Sequence, residues 1–323
     1  MTPNVLYPRF SIITPSFNQG PFLEKTILSI LTQDYPNLEL IVVDGGSTDS
    51  SVEIIRKYED KIAWWVSEKD KGTYHANNKG LERITGDFWC VVNSDDLLLP
   101  NALSMVAESI TSNPSQKWFA GGVHLIDENG LKYADTIPKV PKKIAGFTFL
   151  NGCWISHPTV FLHRSLIDEI GVFHQYHLLD MNYWLRLERK GYFPEIIPSY
   201  LSALRIHNDC KSSNHVKLQE EFLRVYKDFT IENGIEKSKE VLQNIAGHEE
   251  EFYKLKLYEL LASDSRFKSL QYLCRLLFVF PKALAKKWFW GGLRRIIFGV
   301  SAIDPLRKRF DNTENKANWN LND

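Results

Sequence analysis

Residues 38–51 read Leu38-Glu39-Leu40-Ile41-Val42-Val43-Asp44-Gly45-Gly46-Ser47-Thr48-Asp49-Ser50-Ser51. A short β-branched apolar run that stops at an aspartate and two glycines is the pattern of a buried strand whose carboxyl end opens into a turn. Beyond it, Val52, Ile55 and Tyr58 take helical spacing. The same alternation extends in both directions. Upstream, Phe10 to Ile13 precedes the helically spaced Phe22, Ile27, Ile30 and Leu31; downstream come the runs Ile62 to Val66 and Phe88 to Val92, with Pro100 placed for the first turn of a further helix. Strand and helix in strict alternation predict a doubly wound α/β sheet, and such sheets bind ligands beyond the carboxyl ends of their strands. The residues at those ends here are polar and acidic.

After residue 118 the pattern changes. The run WFAGGVHLID, the turn Glu128-Asn129-Gly130 and the run LKYAD predict a β-hairpin in place of another βα unit. A strand near Pro158 to Leu162, helices near Arg164 to Ile170 and Leu179 to Lys190, and a strand within Tyr192 to Ile206 follow, so the sheet is expected to be mixed. From about Val216 helical spacing takes over. The expected organisation is an α/β domain over residues 1–212 and a helical C-terminal region over 213–323.

With 323 residues, 44% of them hydrophobic, the chain can bury a full core. The four cysteines, Cys90, Cys153, Cys210 and Cys274, lack the C-x-x-C spacing of a zinc site and suggest no disulfide framework. The opening MTPNVLYPRF has no basic segment leading into an apolar one, and no run nears the roughly 18 apolar residues of a membrane span, so a cytoplasmic protein is expected. The net charge of zero hides an asymmetry. Between Arg266 and Phe310 stand 11 Lys and Arg against one acid, Asp304, together with nine aromatics. That composition suits an anionic surface; a solvated basic helix face is the plainer alternative.

Three clusters fall at the strand ends. Asp44, followed by Gly45 and Gly46, offers a carboxylate beside backbone that a ligand can approach closely. Asn93-Ser94-Asp95-Asp96 crowds two carboxylates, a repulsion that a divalent cation bridging a diphosphate would relieve. Between them, residues 67–80, SEKDKGTYHANNKG, place Glu68 and Asp70 around a glycine turn and Asn78 and Lys79 on the helix after it. The spacing G-x-G-x-x-G is missing, which argues against a nicotinamide or flavin dehydrogenase.

Taken in order, TPSFNQG, VDGGSTDSS, SEKDKGTYHANNKG, VVNSDD and LLDMNYWLRL resemble the bacterial family 2 glycosyltransferases over about residues 9 to 210. The resemblance implies the GT-A fold, a Rossmann-like mixed sheet flanked by helices. It further implies that Thr14, Pro15, Ser16 and Asp44 contact the nucleotide and that Asp70 binds the base. Gly46 and Lys79 complete the expected donor site. The acidic motif corresponds to Asn93-Ser94-Asp95, with Asp95 holding Mg²⁺ or Mn²⁺, and Asp180 heads its helix as general base. Arg205 and His207, with Ser212 or Ser213, are implied at the diphosphate or the metal, His207 as a second metal ligand. Two positions depart from the family pattern: Asn93 replaces an Asp, and His75 stands where many relatives carry one.

The function implied is inverting transfer of a sugar from a nucleotide-sugar, a UDP-sugar being the commonest donor, to the hydroxyl of a glycan or lipid-linked glycan. The usual setting is cell-envelope polysaccharide or lipopolysaccharide synthesis. A single carboxylate base, without an acid partner, favours transfer over hydrolysis. One rival is a catalytically silent nucleotide-sugar-binding or scaffold protein, motivated by Asn93 and His75. Another is a nucleic-acid binder acting through residues 266–310; an anionic membrane surface is preferred for that segment, and no nucleic acid is expected as partner.

Overall fold

A computed structural model describes residues 7–207, 210, 213–263 and 265–298. The chain divides into two compact units, Met1–Asn208 and Asp209–Asp323. Ser212, where the first domain was expected to close, and residues 299–310 of the basic segment lie outside the described residues.

In the first unit the four apolar runs form the parallel strands β1 (Phe10–Ser16), β2 (Leu38–Asp44), β3 (Trp64–Ser67) and β4 (Phe88–Val91), in the spatial order β3-β2-β1-β4. Every residue of β1 is buried, as a strand covered on both faces requires. Helices α1 (Gly20–Leu31), α2 (Ser51–Lys57) and α3 (Thr73–Leu81) connect these strands. Alternation along β1 sends Phe10 and Ile12 into one layer, with Leu23, Ile27 and Ile30 of α1.

Beyond β4 the sheet becomes mixed, as the change of pattern predicts. The remaining strands are β5 (Leu97–Leu98), β6 (Trp118–Ile126), β7 (Lys132–Thr136), β8 (Val160–His163) and β9 (Glu195–Arg205), and the full path runs β3-β2-β1-β4-β8-β6-β9-β5 with β7 paired to β6. Strands β6 and β7 form the expected antiparallel hairpin, closed by Asp127, whose carboxylate accepts from the Asn129 and Leu131 amides. One local expectation fails. Residues 97 and 98 pair with β9 as a strand, and the next helix, α4 (Ala102–Ser112), starts only after Asn101 has taken a left-handed conformation at φ 63°. Pro100 therefore precedes the helix and lies outside its first turn. Helices α5 (Ser165–Ile170) and α6 (Leu179–Arg189) complete the unit.

Buried carboxylates lock this framework. Glu39, inside β2, accepts from Ser11, Arg9, Thr85 and the Gly86 amide; burial alone would raise its pKa, and these donors instead hold it below the ordinary glutamate value. Glu188, near the end of α6, receives the Thr148 and Phe149 amides at 2.9 and 3.1 Å and fixes the loop before β8.

The second unit contains α7 (His215–Glu232), α8 (Lys239–Ala262), α9 (Arg266–Val279) and α10 (Lys287–Phe298). Asn214 caps α7 by accepting the Lys217 amide at 3.0 Å. An apolar cluster of this unit joins Leu257 and Leu261 of α8, Leu273 and Leu276 of α9, and Phe289 and Ile296 of α10.

Candidate active site

The turn after β4 sets two adjacent carboxylates, Asp95 and Asp96, at the sheet's carboxyl edge. Asp96 is 1% exposed; its carboxylate accepts the Arg205 amide at 3.0 Å and the Asn93 side-chain amide at 3.1 Å. Burial, and after it the charge of Asp95, pushes the Asp96 carboxyl well above the ordinary aspartate range. Asp95 is more open, and its Oδ2 lies 3.1 Å from Nε2 of His207, just past the end of β9. The structure thus joins Asp95 and His207, which the sequence separates by more than a hundred positions.

Arg205 occupies a supporting place beneath this turn. Its side chain, expected at the diphosphate, is buried, and burial lowers its pKa. The guanidinium donates to the backbone carbonyls of Asp95 at 2.9 Å, Asp127 at 3.0 Å and Glu128 at 3.1 Å, and stands 4.9 Å from the Phe22 ring. It ties the acidic turn to the hairpin turn, while its Nη2 is buried without a hydrogen-bond partner among the described residues. Ser94 is buried, and its carbonyl accepts from Thr26 Oγ1 at 2.9 Å, as the Asp96 carbonyl does at 2.8 Å. Thr26 escaped the sequence reading. Its signal was available: one polar residue within the buried stripe Leu23, Ile27 and Ile30 of α1.

The donor-side residues gather at the ends of β1, β2 and β3. Asp44 is fully buried, and its carboxylate accepts from the Gly46 amide at 3.1 Å, the Ser47 amide at 2.9 Å, the Ser47 hydroxyl, and the Ser67 hydroxyl at 2.6 Å. It shapes the loop in which it sits. A side chain at Gly45 would place Cβ 3.0 Å from Oδ2 of Asp70, and Gly46 takes φ 81°, so glycine at these two positions lets the loops after β2 and β3 approach. Asp70 accepts the Gly72 amide at 2.7 Å. Lys79 of α3 is paired with Glu68 at 2.7 Å.

Thr14 and Ser16 share one face of β1, and both hydroxyls are buried without a hydrogen-bond partner among the described residues. Pro15 lies between them, in register with Val43. His75 likewise keeps a buried, unpartnered Nδ1. Buried polar atoms normally find partners, so orphaned groups at a sheet's carboxyl edge are places where a ligand's polar atoms can bind.

Asp180 lies in the first turn of α6, where its Oδ1 accepts the Met181 amide at 2.9 Å. Leu178 occupies the position before the helix and makes no capping bond with its side chain. Beside Asp180, the Cys153 thiol is pushed up by burial and then by the Asp180 charge. No hydrogen bond or ion pair among the described residues links Asp180 to the acidic turn. Ser213 Oγ donates to the Cys210 carbonyl at 2.7 Å.

Comparison with known proteins bears on the family and the fold. The profile of the family described as glycosyl transferase family 2 matches residues 11–171. The putative teichuronic acid biosynthesis glycosyltransferase TuaG of Bacillus subtilis is 29% identical over 68% of this chain and 88% of its own length. The UDP-Glc:alpha-D-GlcNAc-diphosphoundecaprenol beta-1,3-glucosyltransferase WfgD of Escherichia coli is 30% identical over 69% of this chain and 87% of its own. Among solved structures, S. aureus TarS in complex with UDP-GlcNAc superposes with a TM-score of 0.54 at 18% identity, covering 90% of this chain and 80% of that one. The mannosyltransferase PcManGT of Pyrobaculum calidifontis, in complex with GDP-Man and Mn²⁺, gives 0.53 at 17% identity over 91% and 88%. At such identities the structural likeness speaks for the fold, while the sequence relatives speak for the lineage. With its parallel β3-β2-β1-β4 half, its acidic turn after β4 and these relatives, the chain belongs to glycosyl transferase family 2 and is a glycosyltransferase of the GT-A fold.

Proposed function

We propose that this glycosyltransferase transfers a hexose from a UDP-sugar, with inversion, to a hydroxyl of a glycan or lipid-linked glycan in cell-envelope polysaccharide synthesis. The observation that carries the reading is the pairing of Asp95 with His207 over the buried Asp96, at the strand ends where the family binds its donor. The names of the Bacillus and Escherichia relatives support the envelope setting.

The residues fit a divalent cation. Asp95 offers a carboxylate oxygen and His207 an imidazole nitrogen, 3.1 Å apart, and Mg²⁺ or Mn²⁺ sites of this kind take their remaining ligands from substrate phosphate and water. When bound, such an ion supplies positive charge to the diphosphate leaving group. Asn93 contributes indirectly, its amide nitrogen being engaged with Asp96. The hydroxyls of Thr14 and Ser16 are available to the nucleotide, Asp70 to its base, and Asp44 and Gly46 act by fixing the loop that borders it. Lys79 and Arg205 support the site through Glu68 and the backbone of the acidic turn. Asp180, at the head of α6, takes the proton of the attacking hydroxyl.

The enzyme is proposed to work on the cytoplasmic face of a membrane, held there by residues 266–310. No described helix is long and apolar enough to cross one. Incubating the full chain with a panel of nucleotide-sugars, with Mn²⁺ or with EDTA, tests the reading. Release of UDP from one UDP-sugar, dependent on the metal, is expected. A protein that binds donors and never cleaves them in the presence of any acceptor would be the silent relative instead.

A further inference from the structure

Helix α9 presents three distinct faces. Ser269, Leu273 and Leu276 are buried within the second unit. A second stripe, Phe267, Leu270, Cys274, Leu277 and Phe278, is exposed, with Phe267 at 79% and Phe278 at 88%. The third carries Lys268, Gln271, Tyr272 and Arg275 at the i, i+3, i+4, i+7 spacing of one helix face. These four side chains, with Leu260 of α8, line a cleft of about 220 Å³.

Among the described residues no ion pair neutralises that cleft. Lys268 and Arg275 form no ion pair or hydrogen bond among the described residues, whereas Lys286, further along, is paired with Glu250 at 2.6 Å. The Tyr272 hydroxyl is buried without a hydrogen-bond partner among the described residues. Two exposed cations, unpaired among the described residues, beside an exposed apolar stripe match an occupant with negative charge and hydrocarbon side by side. An isolated anion would leave the stripe in water, and an apolar partner would leave the cations uncompensated.

We infer that α9 is the docking surface of this enzyme for an anionic phospholipid bilayer, with a lipid phosphate seated in the Lys268–Arg275 cleft and Phe267 and Phe278 inserted among the acyl chains. The inference rests on the membrane reading above and assigns it a site. An interfacial helix of this kind gains from buried apolar area and from electrostatic attraction together.

The test is sedimentation of the full chain with vesicles of equal parts phosphatidylglycerol and phosphatidylcholine, and with phosphatidylcholine alone. Binding to the first and not the second is expected, weakening as salt rises. Lys268→Ala/Arg275→Ala should weaken it roughly thirtyfold, at ~1 kcal/mol per basic residue near the surface. Phe267→Ser/Phe278→Ser, altering side chains already in solvent, should weaken it about tenfold or more. Circular dichroism of both variants should match the parent. Inorganic phosphate should displace the protein no better than chloride at equal ionic strength; selective displacement would make the cleft a free-phosphate site and overturn the docking. Full binding by Lys268→Ala/Arg275→Ala overturns the cleft while leaving membrane attachment standing. Failure of the parent to bind anionic vesicles overturns both.

Discussion

Two strand ends in this molecule carry aspartates that look alike in sequence and differ in what surrounds them. Asp44, after β2, is enclosed by the donors of its own loop, the Gly46 and Ser47 amides and two serine hydroxyls. Asp95, after β4, meets a histidine on one oxygen and a second, buried carboxylate as its neighbour. A carboxylate satisfied by backbone amides organises a loop. One crowded against another carboxylate creates a demand for positive charge, met in part by Arg205, that a bound cation would relieve further. The difference separates the framework of the site from its chemistry.

The sharpest extension of that contrast is Asp180, which accepts a helix amide, as a framework residue would, and is proposed to act in the reaction. Asp180→Asn preserves an acceptor for the Met181 amide and removes the base. Turnover should fall roughly a hundredfold, about 2.7 kcal/mol in the barrier, with melting temperature and donor affinity unchanged. Near-normal turnover would make Asp180 a helix-terminus residue alone. Asp44→Ala tests the other side. It strands the Gly46 and Ser47 amides and should cost about 1–3 kcal/mol of stability, read as a lower urea midpoint. A variant as stable as the parent, with donor binding abolished, would mean that Asp44 touches the nucleotide directly.

Much of this was legible in the sequence because period and punctuation suffice for it. The runs ending at Ile13, Val43, Val66 and Val92 announced the parallel half, and Glu128-Asn129-Gly130 announced the hairpin. What escaped depends on contacts between distant residues. That the Arg205 guanidinium would hold the carbonyls of Asp95, Asp127 and Glu128 follows only from the packing of β9 beside β6. Pro100 misled for a local reason, since the two-residue pairing of Leu97 and Leu98 with β9 delays the helix beyond it. Residues 268, 271, 272 and 275 had shown only as charge and aromatic content; the burial of Leu273 and Leu276 defines which face of α9 they occupy.

The central claim, that the Asp95–His207 pair is the reaction site, meets its most direct test in metal-dependent turnover of Asp95→Ala. The charge of Asp95 is among the causes that hold the Asp96 pKa up. A raised carboxyl pKa lowers stability as pH climbs through it, so removing that charge should leave the fold no less stable at neutral pH. UDP-sugar turnover with Mn²⁺ should nevertheless drop by roughly a hundred- to a thousandfold, the scale of losing one electrostatic stabiliser of a leaving group, and EDTA should change the remainder little. Full turnover by Asp95→Ala, still abolished by EDTA, would place the metal and the reaction elsewhere on the sheet.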